Sequence, residues 1–141
     1  MKLEQVIQKK KPTYHDFSFP KEVNKKINQW RKQGLFFGAF PVKGDSMTCD
    51  DDRSIPSGSK VLAVELNISD KFSLGNGIPL RKPLLIKYTN SKGEDGFICK
   101  TINFMDFVNY RYRLKSYNPK HQDAWIPIRF IDNILEVHHV F

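Results

Sequence analysis

Gly34-Leu35-Phe36-Phe37-Gly38-Ala39-Phe40-Pro41-Val42-Lys43-Gly44-Asp45-Ser46-Met47 is where this chain changes character. Upstream of Gly34 the apolar residues keep a helical period. Val23, Ile27 and Trp30 recur at i, i+4 and i+7, while Lys25, Lys26, Arg31 and Lys32 take the other side. Pro20 suits the first helical position, Glu22 favours the positive end of a helix dipole, and Gly34 is a natural stop. From Leu35 onward the pattern becomes that of a strand. It ends in a sharp turn at Gly44-Asp45 that lifts the Ser46 hydroxyl out of the backbone.

Six more segments of the same kind follow: Lys60–Glu65, Pro83–Tyr88, Gly96–Phe104, Tyr110–Tyr117, Ala124–Ile128 and Ile131–Phe141. They are rich in β-branched, aromatic and aliphatic residues and are separated by turn chemistry such as Pro56-Ser57-Gly58, Asn90-Ser91-Lys92-Gly93 and Asn118-Pro119. Seven strands in about a hundred residues predict a mainly β, compact antiparallel domain with one short N-terminal amphipathic helix. Residues 1–34 read as a basic arm carrying that helix, and residues 35–141 as the β domain. Leu66–Lys82 reads as a long polar excursion with a turn of helix near Ser69–Phe72.

With 141 residues, 40% of them hydrophobic, the chain suits one domain with a real core. Residues Met1–Lys11 are polar and basic, unlike a secretory signal, and the apolar run Leu35–Val42 is far too short to cross a bilayer. Cys49 and Cys99 lack the spacing of a disulfide framework or a zinc site, so free thiols in a cytoplasmic protein are expected. Of the net charge of +8, residues 1–41 hold +6. Such an arm suits phosphate backbones or an acidic partner; equally, it suits a solvated helix face.

Two segments carry chemistry. The turn at Gly44, Asp45 and Ser46 can aim successive backbone N–H groups in one direction, as an oxyanion requires. The alternative is an ordinary Asp-Ser turn or a helix cap. Met47 reads as a core plug beneath it. Far downstream, Ile98-Cys99-Lys100-Thr101-Ile102 puts a lysine on the strand face it shares with two isoleucines, with Phe97, Cys99 and Thr101 on the other. A desolvated lysine loses basicity. Reaching neutrality near pH 7 needs roughly three pKa units, on the order of 4 kcal/mol. Serine beside a neutral amine is a way to make a nucleophile without histidine. A lysine snorkelling from an edge strand is the plainer reading.

Other constellations point less far. His15, His121, His138 and His139 do not pair with the cysteines at metal spacing, and no G-x-S-x-G elbow supports a Ser–His–Asp hydrolase. Cys49-Asp50-Asp51-Asp52-Arg53 lacks the glycine and distal glutamate of a calcium loop, so neither metal nor cofactor is expected. Phe107–Lys115 interleaves aromatic and basic residues, as single-strand-binding sheets do. Its period of two also fits an amphipathic strand with tyrosines inward and cations outward.

Val42-Lys43-Gly44-Asp45-Ser46-Met47, Ile55-Pro56-Ser57-Gly58-Ser59-Lys60-Val61-Leu62-Ala63-Val64 and Ile98-Cys99-Lys100-Thr101-Ile102 together resemble the LexA/UmuD-like (S24) Ser–Lys peptidase domain. That family reads roughly V-x-G-D-S-M, then I-x-x-G-D-x-V-x-V, then a lysine on a later strand. Leu114-Lys115-Ser116-Tyr117-Asn118-Pro119-Lys120 before an apolar terminal strand is similar too, and the likeness covers about residues 36–141. It implies a LexA/signal-peptidase-like fold, Ser46 as nucleophile, Lys100 as general base, and Asp45 and Ser46 N–H groups as the oxyanion hole. Gly44 and Met47 would support the turn.

The resemblance also implies a homodimer through the C-terminal part, partners such as a RecA-type filament or a translesion polymerase, and (self-)cleavage in an SOS or phage-type regulatory response. Alternatives are a non-cleaving docking module, or the dimerisation domain of a transcriptional repressor, with direct DNA binding left open. Two departures are visible. Ser59 stands where the family usually has aspartate, and the stretch from Ser46 to Lys100 is longer than usual. Family members are cut at Ala-Gly or Cys-Gly. Neither dipeptide occurs here, so the likeness leaves the scissile bond unassigned. The 34 residues ahead of the β domain hold one convincing helix, too few for a helix-turn-helix reader.

Overall fold

The computed structural model describes residues 20–66, 74–75 and 77–141. Lys9-Lys10-Lys11-Pro12 and the turn of helix expected at Ser69–Phe72 lie outside them. Helix α1 spans Lys21–Gln33 and is closed by Gly34 in the left-handed conformation, φ 70°. Gly34 and Leu35 donate their N–H groups to the carbonyls of Arg31 and Trp30, satisfying the last turn. Pro20 lies one residue outside the helix, where its carbonyl accepts from Val23 and Asn24.

All seven expected segments are strands: β1 Phe37–Pro41, β2 Lys60–Glu65, β3 Leu84–Thr89, β4 Asp95–Asp106, β5 Arg111–Lys115, β6 Ala124–Pro127 and β7 Ile131–Val140. They lie in the order β1-β2-β7-β3-β4-β5-β6, and every neighbouring pair is antiparallel. The domain is therefore mainly β. The 12-residue β4 joins its two parts. Asp95–Lys100 pairs with β3, whereas Thr101–Asp106 pairs with β5 across a register shift between Ile102 and Phe104.

Alternation along the strands divides the core. Phe40, Val61, Ala63, Leu85 and Leu135 form one apolar layer, covered by Met47 and Ile55 from the loop after β1. Leu62 and Val64, with Phe37 and Ala39, face the other way and receive Ile27 and Trp30 of α1. Trp30 is 7% exposed, and burying a side chain of that kind contributes about 1.5–3 kcal/mol. The helix of the basic arm is thus seated on the sheet. Leu84, Ile86 and Ile134 pack against Ile102, Tyr112, Leu114 and Ile126, so β4–β6 fold over the main sheet. Ile78 is fully buried in that cluster, so the excursion after Leu66 is not polar throughout.

Among the described residues no helix is long and apolar enough to cross a membrane.

Candidate active site

Beyond β1, Val42 is held by reciprocal backbone bonds. Its N–H donates to the Ser59 carbonyl, and its own carbonyl accepts from Gly58. Gly44 then turns the chain at φ 78°, a region that disfavours any side chain. The Asp45 carbonyl accepts the Thr48 N–H at 3.0 Å, which closes a turn with Ser46 and Met47 at its two central positions. Met47 is completely buried, and its carbonyl accepts from Ile55 at 2.9 Å. The plug below and the glycine above fix where Ser46 points. Among the described residues the Ser46 N–H meets no acceptor, while that of Asp45 turns toward its own carboxylate.

Asn118 fastens this turn from the far end of the sequence. Its backbone N–H donates to the Ser46 carbonyl at 2.9 Å, and its Nδ2 donates to the Asp45 carbonyl at 3.0 Å. Asn118 Oδ1 in turn accepts the Lys120 N–H. His121 stands 2.7 Å from Asp45 Oδ1, and that hydrogen bond lowers the carboxyl below its ordinary value. The histidine therefore serves Asp45. Among the described residues no hydrogen bond joins it to Ser46.

Lys100 approaches from β4. Ser46 and Lys100 line one cavity of about 510 Å³, whose apolar walls include Phe40, Val42, Leu85 and Phe97. The Lys100 ammonium donates to Ser116 Oγ at 2.8 Å, and among the described residues it makes no hydrogen bond to Ser46. Desolvation pushes the amine below its ordinary basicity, an effect opposed by any negative charge on neighbouring Cys99. Burial raises the Cys99 thiol to about 11, so it is neutral near pH 7 and that opposition is absent. Both residues are half-buried. The faces are less segregated than strand alternation predicts, because Phe97 and Cys99 line the same cavity as Ile98 and Lys100. Asp95–Lys100 pairs only on its β3 side among the described residues, and the cavity opens beside its other edge.

Ser116 and Asn118, quoted only as part of the similar Leu114–Lys120 segment, and His121, weighed only for metal or triad chemistry, were given no role at this site from the sequence. Ser116 had a signal, since it is the inward position following outward Lys115 at the end of β5, and Lys115 pairs with Thr101. Asn118 reads locally as turn chemistry, with nothing to announce a bond 73 residues away. The acidic run behind the Ser46 turn is an ion-paired loop. Arg53 clasps Asp51 at 2.8 Å, and among the described residues no group of His, Cys, Asp and Glu could hold a metal. No family model, curated protein or solved structure matches this chain.

Proposed function

We propose that this chain is a LexA/UmuD-like, S24-type Ser–Lys peptidase-fold protein of an SOS or phage-type regulatory response, cytoplasmic and homodimeric. One observation carries the reading: Ser46 and Lys100 open onto the same largely apolar cavity although 54 positions separate them. In the proposed mechanism a neutral Lys100 takes the Ser46 proton as Oγ attacks a peptide carbonyl, then returns it to the leaving amine. The tetrahedral oxyanion is received by the Asp45 and Ser46 N–H groups. Ser116 positions the amine through its hydroxyl, and the unpaired edge of β4 suits an extended peptide added as a strand.

The full chain incubated at pH values stepped from neutral toward about 10, where lysine deprotonates, should release a shortened product at a rate rising with pH. Ser46→Ala and Lys100→Ala should each abolish that product, as read by mass spectrometry. A full-length chain persisting throughout favours the second reading, a non-cleaving docking module for a polymerase, a RecA-type filament or a repressor dimer. Two observations favour that reading: the absence of an Ala-Gly or Cys-Gly bond and the Lys100 amine's bond to Ser116 in place of Ser46.

A further inference from the structure

The face that β4, β5 and β6 turn away from the core carries groups that do not line the Ser46 cavity. Tyr112 and Leu114 are buried, so Arg111, Arg113 and Lys115 share the outer side of β5. Strand register then sets Phe104, Arg113 and Trp125 side by side across three strands. Phe104 is 49% and Trp125 40% exposed, with ring centroids 6.3 Å apart in an edge-to-face arrangement. The Arg113 guanidinium lies 5.6 Å from the Phe104 centroid, and that of Arg111 lies 3.9 Å from the Trp125 centroid.

These arginines differ in their partners. Arg111 is held by Asp106 at 2.9 Å. Arg113 Nε is shielded from solvent yet makes no hydrogen bond, and Asp123 stands 3.6 Å away, outside hydrogen-bond geometry. The same face continues into an open cavity of about 1020 Å³ with Arg81, Arg113 and Lys115 on one wall and Asp45, Asp50 and Asp51 on another. Among the described residues neither Arg81 nor Lys115 has an ion-pair partner. Arg81 also holds φ 61°, a backbone conformation non-glycine residues seldom adopt and one that clusters at ligand clamps.

Exposed rings beside a row of cations, two of which (Arg81 and Lys115) have no ion-pair partner among the described residues, suit a ligand with planar groups and anions in alternation. A carboxylate peptide supplies the anions without the planes, and a duplex has already stacked its bases. We propose that the outer face of β4–β6, centred on Phe104, Arg113 and Trp125, binds single-stranded nucleic acid. Bases stack on the two rings, and phosphates lie along Arg81, Arg113 and Lys115.

The test titrates the full chain with a fluorescein-labelled oligothymidylate of roughly twelve nucleotides, a length within the range one such sheet covers. Anisotropy is read together with intrinsic tryptophan emission. The chain has two tryptophans, and Trp30 is packed between α1 and the sheet, so quenching reports on Trp125. Quenching should saturate with the anisotropy. Trp125→Ala should weaken binding about 5- to 100-fold, Trp125→Phe should retain most of it, and Lys115→Ala should reduce the slope of log K against log salt by about 0.7. Four results would overturn the proposal. They are no binding at low salt, binding without quenching that none of the three variants alters (which assigns it to the basic N-terminal residues), equal competition by heparin at matched charge, and self-association that Trp125→Ala dissolves.

Discussion

Replacing Asn118 by alanine tests whether the Ser46 turn is held from outside or holds itself. The backbone bond from position 118 to the Ser46 carbonyl survives the change, because alanine keeps its N–H. Three side-chain bonds are lost: the 3.0 Å donation to the Asp45 carbonyl, a longer 3.3 Å donation to the Asp45 carboxylate, and the 3.0 Å acceptance from Lys120. At about 1 kcal/mol net for each of the two shorter bonds, with the long one to an exposed carboxylate adding little, the loss is about 2 kcal/mol. It should not rise far above that, since the Asp45 carbonyl still receives the Thr48 N–H and the exposed Lys120 N–H finds water. For a chain of this size that is a fall of about 6 °C in melting temperature.

Urea and thermal unfolding followed by circular dichroism supply the magnitude. Hydrogen exchange over Gly44–Thr48 supplies the location, and it should accelerate there more than in β3 or β7. Asn118→Asp keeps the acceptor for Lys120 but sets a carboxylate against Asp45, whose own carboxyl His121 holds low and charged. Its penalty should exceed that of Asn118→Ala at neutral pH and shrink as acid discharges the pair. A loss below about 0.5 kcal/mol, with exchange at the turn unchanged, would refute the claim that Asn118 fastens it.

Gly96→Ala should destabilise by about 1–3 kcal/mol, because a Cβ at Gly96 would overlap the hydroxyl end of Tyr88, its register partner on β3. The cost should largely vanish in a Tyr88→Ala background; simple additivity of the two changes in a double-mutant cycle would contradict this account. Cys99 and Cys49 are both free, yet burial raises the Cys99 thiol to about 11, leaving roughly a hundredfold less thiolate than an ordinary cysteine has. Iodoacetamide at mildly alkaline pH should therefore modify Cys49 well before Cys99, as peptide mapping would read. Equal rates at the two positions would show that Cys99 is not shielded.

The strands were legible because each carries its own signal: a run of β-branched and aromatic residues closed by glycine, proline or asparagine. Helix α1 was legible for the same local reason, through the period of Val23, Ile27 and Trp30 and the stop at Gly34. What joins elements was not. Lys100 could be suspected from its two isoleucine neighbours, but its hydrogen-bond partner depends on how β4 meets β5, and the register shift after Ile102 has no composition of its own. Asn118 and His121 reach the Ser46 turn only once β5 and the chain beyond it are in place. The outer face of β4–β6 sits between these cases. Alternation along Tyr110–Lys115 announced cations on one side, while the placing of Phe104 and Trp125 on either side of Arg113 required three strands to pair.

The linkage of Lys100 to pH has a sign that bears on the proposed mechanism. Its folded-state basicity is depressed, so the unfolded chain binds the proton more tightly, and stability contributed at this position rises with pH. Charging the amine in the folded chain works against burial, a cost moderated because the side chain is only half-buried and donates to Ser116. Filling the cavity changes that balance. An extended peptide beside Asp95–Lys100 would displace water from the same walls that desolvate the amine, lowering its basicity further at the moment a carbonyl reaches Ser46. On the proposed reading, an empty site holds Lys100 charged and bound to Ser116, and an occupied one favours its neutral form. Substrate capture and activation of the base then become one event, and the cavity needs no histidine to achieve it.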